Sequence, residues 1–280
     1  MENIRVERFG SDGEVGILTI DRRERFNSLD VRTARDLRKA GLQLARDTAV
    51  RAVVLRGTGG VFCSGADLKY IRAGGDEADL AYLTPERRET PKGYGESFRQ
   101  ILEYIHSTIS EIRRAPKPFV AAVDGAAAAG GLGIALACDL VVASERSTFE
   151  YAYFKTGLSG AESSTFFLPK LVGLRRAADL ALLNPRLTAR EAREMGLVSA
   201  VFADAAFEDE VAALASRLAG GPTAAYAAAK RLMNESAGVD RLDHHLDREL
   251  DELTRVADGP DFAEGIDAFF RKTAPRFRGK

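Results

Sequence analysis

The sequence is poor in the residues that mark several classes of function. Its two cysteines, Cys63 and Cys138, lie far apart with no metal-ligand spacing, so both read as small core residues in a reducing compartment. The three histidines, His106, His244 and His245, lack the spacing and acidic partners of a zinc centre, so no metal is expected; His244-His245 falls on a polar helical face. Neither sign of charge is in excess. Forty Lys and Arg against 41 Asp and Glu leave a net charge of −1, which removes any general attraction to nucleic acid or anionic lipid. The longest apolar run, Ala126 to Cys138, is too short to span a bilayer, so no membrane partner is expected. Met1 to Gly10 has no apolar core of a secretory signal, which makes a cytoplasmic location the default. The phosphate loop GxxxxGK[ST], a strand-linked GxGxxG and the nucleophile elbow GxSxG are all missing.

What is present is material for a sizeable core: 280 residues, 45% hydrophobic and 29% charged. The patterning predicts strands at Ile4 to Arg8 and Val15 to Ile20, joined by a glycine-containing turn. A helix is predicted over Asp30 to Arg46, with Asp30 as N-cap and apolar residues at helical spacing. A buried strand at Arg51 to Arg56 leads through a glycine-rich turn into VFCSGADLKY, Val61 to Tyr70. Ala73 to Glu96 is charged and aperiodic, and loops of that length are usually lids or disordered. An amphipathic helix follows from Glu96 to Arg114. After short strands at Leu140 to Ala143 and Thr148 to Tyr151, helices dominate, and beyond Phe202 the chain reads as helices with almost no sheet. The boundary is therefore placed there, with a core at 1–202 and a helical region at 203–280.

The stretch from Val120 to Asp139 organises the rest. Phe119 to Val123 reads as a buried strand, Asp124-Gly125 breaks it, and a run of Ala and Gly leads into a helix expected from Leu132 to Cys138. A bare glycine backbone admits close approach, and a helix N-terminus offers unpaired N–H groups with partial positive charge. Such a turn suits the developing negative charge of a thioester oxygen, or it is simply a tight strand–helix packing turn.

Taken with Ser64-Gly65-Ala66-Asp67-Leu68, this turn gives a pair that resembles the crotonase (enoyl-CoA hydratase/isomerase) superfamily. The resemblance extends over DRRERFNSLD, AVVLRGTGGVFCSGADLK, KPFVAAVDGAAAAGGLGIALACDLVVAS, the segment from Gly157 to Phe202, and the terminal FFRKTAPRFRGK. It implies an α/β fold, a crotonase-like spiral of ββα turns with a helical C-terminal trimerisation region, in a homotrimer or hexamer. It implies an acyl-CoA thioester as ligand, with coenzyme A part of the substrate and no separate cofactor. The thioester oxygen would be held by the N–H groups of Ala66 and Gly130. Arg25, Ser64, Ala66, Asp67 and Leu68 match positions that line the CoA site, and Phe270 and Lys272 match C-terminal residues that reach CoA. The basic tail around Lys272 also reads as a merely solvated face.

The resemblance breaks at the carboxylates. The hydratases use two glutamates, and the matching positions here are Gly133 and Tyr153. Water addition needs one group to activate water and another to deliver a proton, so ordinary hydration is not expected. In isomerases and chlorobenzoyl-CoA dehalogenases of the family an aspartate sits in the turn that here reads GLSGAE; its match is Ala161, and Glu162 is next. His106, twelve residues before Pro118, matches a histidine of those dehalogenases, and Tyr153 matches an aromatic residue of their pocket, read either as a hydrogen-bond donor or as a wall, with the wall preferred. Glu162 is read either as a base in the acyl pocket or as the end of an S-x-x-E capping box starting at Ser159. His106 is read either as a pocket residue or as a histidine beside the core. The expected function is an enoyl-CoA isomerase-type proton shift; hydrolytic, dehalogenase-like or C–C-cleaving chemistry, and acyl-CoA binding without turnover, stand as alternatives.

Overall fold

The computed structural model describes residues 1–76, 79 and 93–279. Most of the Ala73 to Glu96 excursion lies outside the described residues. Ten strands form two sheets among the described residues. In the six-stranded sheet the order is β1 (Ile4–Phe9), β2 (Val15–Ile20), β3 (Ala52–Gly57), β5 (Phe119–Val123), β7 (Leu140–Ser144) and β10 (Ala200–Phe202). The second sheet runs β4 (Val61–Cys63), β6 (Ala126–Ala128), β8 (Thr148–Glu150) and β9 (Leu187–Thr188).

The alternation between sheets is the spiral. Strands β3, β5 and β7 lie side by side and parallel in the first sheet, and each is followed by a short strand, β4, β6 or β8, parallel in the second. Each pair then leads towards a helix: α2 (Leu68–Arg72), α4 (Gly130–Ala137) and, after a 3₁₀ turn at Tyr153–Thr156, α5 (Ser164–Val172). Helices α1 (Val31–Arg46) and α3 (Gly95–Arg114) pack together beside the first two turns. The N-cap at Asp30 forms as expected, its carboxylate accepting from the Thr33 N–H at 2.8 Å. Ala126–Ala128 differs from expectation: instead of belonging to the turn it pairs on both sides as β6, and α4 starts at Gly130 rather than Leu132.

Strands β2, β3, β5 and β7 are buried on both faces over most of their length, which is why they read as continuous apolar runs. Val54, Val120, Ala122 and Val142 face helix α8 (Phe207–Ala219), where Phe207, Val211 and Ala215 cover them. Leu55, Ala121, Val123 and Ala143 face the main core with the helices on the other side. After α6 (Leu174–Leu182), α7 (Ala189–Glu194) and α9 (Thr223–Ser236), the chain brings α10 (Leu242–Ala257) against α3 and α5. Helix α11 (Pro260–Arg271) lies on the 3₁₀ turn, its Gly265 so close to Thr156 that a Cβ would meet the Thr156 backbone. The C-terminal helices thus close one side of the space in which the second sheet ends. None of the described helices is long and apolar enough to cross a membrane.

Candidate active site

A cavity of about 380 Å³ opens at the ends of β4 and β6. Its lining runs from the exposed Phe26 to the buried Glu162 and Tyr153, with Phe98, Leu158 and Leu253 as apolar wall. Eight of the residues singled out from the sequence line it: Arg25, Ser64, Ala66, Asp67, Leu68, Tyr153, Glu162 and Phe270. Gly130 lies directly behind the lining residue Ala129 and against Glu162. His106 and Lys272 are not among the lining residues; Lys272 ends α11 in a left-handed conformation, with φ of 56°.

Two strand ends bring the backbone donors together. Gly65 has φ of +91°, and a Cβ there would stand 2.8 Å from the Ala129 Cβ and 3.1 Å from the Gly130 nitrogen. Only a residue without a Cβ lets the Ser64–Asp67 turn lie that close to the start of α4. Leu29 fixes the turn by donating to the Gly65 carbonyl and accepting from the Asp67 N–H, both at 2.8 Å. That pattern leaves the Ala66 N–H without a protein acceptor among the described residues, and the Gly130 N–H, first in its helix, is likewise unused. Ala129, just before it, sits at φ 46°, ψ −120°, a conformation a residue with a Cβ rarely adopts. Its N–H donates to the Glu150 carbonyl at 3.1 Å, and Glu150 is itself tied to Asn184 and Arg186. Strain of that kind, roughly 1–3 kcal/mol, persists where surrounding contacts over-determine the backbone.

Asp67 anchors the entrance. Its carboxylate caps α2 by accepting from the N–H groups of Lys69 and Tyr70. It also accepts from Arg22 at 2.8 Å and from Arg25 at 2.5 and 3.1 Å. Burial opposes its charge, but the Arg25 hydrogen bond, the Tyr70 N–H and Arg22 outweigh burial and hold it below the ordinary carboxylate range. Arg25 therefore reaches the cavity as a guanidinium already oriented by Asp67.

Glu162 is buried and does not close a capping box. Glu162 and Ser163 both adopt left-handed conformations, φ 49° and 63°, and α5 begins only at Ser164. The Ser159 hydroxyl, which the box would have used, is buried without a hydrogen-bond partner among the described residues. The α5 N-terminus is satisfied from a distance instead. Glu249 on α10 accepts from the Ser163 N–H at 2.8 Å, the Thr165 N–H at 3.1 Å and the Thr165 hydroxyl. Freed from capping, the Glu162 side chain turns inward. Tyr153 donates its hydroxyl hydrogen to Oε2 at 2.5 Å and also lies 2.9 Å from the Ala161 carbonyl. Tyr153 thus does both things its position allowed: it walls the cavity, and it donates a hydrogen bond, here to the Glu162 carboxylate. Burial pushes the Glu162 carboxyl up to about 7; the Tyr153 hydrogen bond opposes that rise and the negative charge of Glu249 adds to it.

His106 packs beside the core, its Nε2 buried without a hydrogen-bond partner and 3.8 Å from Glu249. Burial lowers it to about 4, against the pull of Glu249 and Asp247 and with the help of His245, so the imidazole is neutral at pH 7 and makes no ion pair. The contribution of Glu249 was invisible in the sequence, since a glutamate on an amphipathic helix reads as surface.

Chemically, the site joins two free backbone donors, an apolar wall and one buried carboxylate poised near neutrality. Among the described residues no group of three potential ligands gathers for a metal. This arrangement, on a spiral of ββα turns, is that of an acyl-CoA-processing enzyme, and the family model for enoyl-CoA hydratase/isomerase matches residues 10–280; the chain belongs to that family. Among its relatives is a probable enoyl-CoA hydratase of Rhodobacter capsulatus, 36% identical and aligned over 95% of both chains. A 4-chlorobenzoyl coenzyme A dehalogenase-2 of an Arthrobacter species is 33% identical over 95% of this chain and 90% of its own. The 1,2-epoxyphenylacetyl-CoA isomerase of Escherichia coli is 33% identical over 94% of each. The crystal structure of an enoyl-CoA hydratase from Mycobacterium avium subsp. paratuberculosis superposes with a TM-score of 0.83 at 34% identity, over 99% of this chain and 98% of that one.

Proposed function

We propose that this enzyme binds an acyl-CoA thioester with its carbonyl oxygen between the N–H groups of Ala66 and Gly130, and that Glu162 moves a proton on the resulting enolate. The reaction is a double-bond isomerisation: the carboxylate removes a proton from one carbon and returns it to another, so one base suffices. The observation that carries this reading is Glu162 itself, buried at the cavity with one oxygen held by Tyr153 and the other beside Gly130. A base with pKa near the working pH balances availability against strength. Preorganised donors in a water-poor pocket lower the cost of the enolate by several kcal/mol in order of magnitude. Hydration is disfavoured because Gly133 and Tyr153 supply no second carboxylate.

A dehalogenase-like reading, in which Glu162 attacks the acyl group as a nucleophile, is favoured by the similarity to the Arthrobacter enzyme named above. The two part on substrate. In the proposed reaction 3-enoyl-CoA thioesters become 2-enoyl-CoA thioesters, Glu162→Gln abolishes that conversion while leaving CoA binding intact, and crotonyl-CoA is hydrated poorly. Turnover confined to acyl groups that bear a leaving group supports the nucleophilic reading instead. Binding without turnover of either class identifies a non-catalytic acyl-CoA binder.

Assembly as a homotrimer or a dimer of trimers belongs to the same proposal. Support comes from large apolar side chains left exposed on the single chain, among them Leu174, Leu182 and Leu183 around α6 and Leu232 and Met233 on α9. Light scattering is expected to give three or six copies, and a stable monomer at micromolar concentration refutes it.

A further inference from the structure

Gly133 lies one helical turn after Gly130, on the same face of α4. Its φ is not positive, so its own backbone conformation does not call for glycine. The space around it does. A Cβ at 133 would overlap the carbonyl oxygen of Glu162, and would stand 2.9 Å from the carbonyl carbon and 3.0 Å from the Glu162 Cβ. Most of these neighbours are backbone and cannot swing aside. The Ser163 hydroxyl closes the contact from the other side, donating to the Gly133 carbonyl at 3.3 Å.

The Glu162–Ser163 turn is costly by itself. A left-handed backbone is disfavoured for any residue with a Cβ, and here two occur in succession. The turn persists because it is held at three points: Glu249 on the Ser163 N–H, Ser163 on the Gly133 carbonyl, and Tyr153 on the carboxylate. The bare face of α4 is what lets the Glu162 backbone sit as deep as it does. We infer that Gly133 is a positioning residue, whose missing side chain forms the recess that seats the Glu162 turn and so sets where the carboxylate stands between Gly130 and Tyr153. A side chain at position 133 and the present Glu162 turn exclude one another.

The inference rests on Glu162 being the base, and the test keeps the two apart. Gly133→Ala pushes the Glu162 carbonyl outward and draws the carboxylate away from its burial and from Tyr153. The groups that face Glu162 are Tyr153 from the 3₁₀ turn, Glu249 from α10 and, more weakly, Cys63 and Tyr151, and the substitution alters none of them. In protein labelled with 13C at glutamate carboxyls, the Glu162 signal is the one missing from Glu162→Gln. It is expected to titrate near 7 in the natural chain and nearer the ordinary glutamate range in Gly133→Ala. On a 3-enoyl-CoA thioester the same variant is expected to lose at least tenfold in kcat, with KM changed by less than threefold. A partial loss of folding also lowers kcat at constant KM, so the titration of Glu162, read on the folded protein, is the readout that tells displacement of the carboxylate from loss of active enzyme. An unmoved titration with kcat retained overturns the inference. If Glu162→Gln keeps full turnover, the base assignment fails, and the titration in Gly133→Ala still decides whether position 133 seats the turn. If Gly133→Ala does not fold, Ser163→Ala loosens the same contact: a smaller shift in the same direction supports the inference, and none overturns it.

Discussion

The Tyr153 hydroxyl donates to one oxygen of Glu162 at 2.5 Å, while the other oxygen lies 2.6 Å from the point a Cβ on Gly130 would occupy. The carboxylate is therefore clamped between a phenol and the start of a helix, at a depth that Gly130 and Gly133 of α4 make possible. Its protonation is set by this enclosure, and most of the behaviour expected of the enzyme follows from it.

Glu162 destabilises the fold at alkaline pH. Its carboxyl is raised from 4.5 to about 7, so between those values the folded protein holds a proton that the unfolded chain has released. Stability is fully present below about 4.5 and is lost as pH rises through 7, by about 3 kcal/mol in all. Glu162→Gln removes the buried charge. Urea unfolding is expected to show the variant more stable than the natural chain at pH 8 by about 1–3 kcal/mol, and little different at pH 5. His106 works in the opposite sense, lowered from 6.5 to about 4, so its contribution is present above 6.5 and lost as pH falls through 4; it is common to both proteins and cancels.

Tyr153→Phe removes the hydrogen bond that favours the charged carboxylate, and so raises Glu162 further. The acid limb of kcat/KM, expected near pH 7, moves to higher pH, and the rate at pH 7 falls roughly tenfold, in keeping with the loss of a hydrogen bond to a charged group. A profile superimposable on that of the natural chain leaves Tyr153 as wall only.

Asp67→Ala leaves Arg22 and Arg25 without their shared carboxylate and α2 without its cap. Breaking a buried pair costs 3–5 kcal/mol, and the partly exposed Arg25 puts the expected loss near the low end, about 3 kcal/mol. CoA affinity, read by calorimetry, falls with it. Asp67→Asn keeps the shape and part of the cap and is expected to lose less of both.

The sequence was most legible where structure is local. Val31–Arg46 and Phe119–Val123 stand where apolar spacing put them, because burial of one face or of the whole strand decides those residues. Ala126–Ala128 was missed because three alanines carry no strand signal, and it is pairing with β4 and β8 that extends them. At the site, Ala66, Glu162 and Tyr153 were legible through resemblance to a family, not through spacing. Whether Glu162 caps a helix or enters the pocket was decided by Glu249, some 87 positions away in the chain, which satisfies the helix in its place. A contact of that range leaves no mark in a local pattern. The entrance was half legible: Arg25 and Asp67 were singled out, but the role of Arg22 as a second partner appears only in three dimensions.

The central claim is that Glu162 exchanges a proton on the carbon next to an acyl-CoA thioester. It is tested most directly by proton NMR in D2O, using saturated short-chain, medium-chain and arylacetyl CoA thioesters, which have no double bond to move. The natural chain is expected to replace the hydrogens at C2 of at least one of them with deuterium. Glu162→Gln is expected to do so at least a hundredfold more slowly, with thioester affinity unchanged within twofold. Equal exchange by both proteins, or binding of all three classes with exchange of none, contradicts the account.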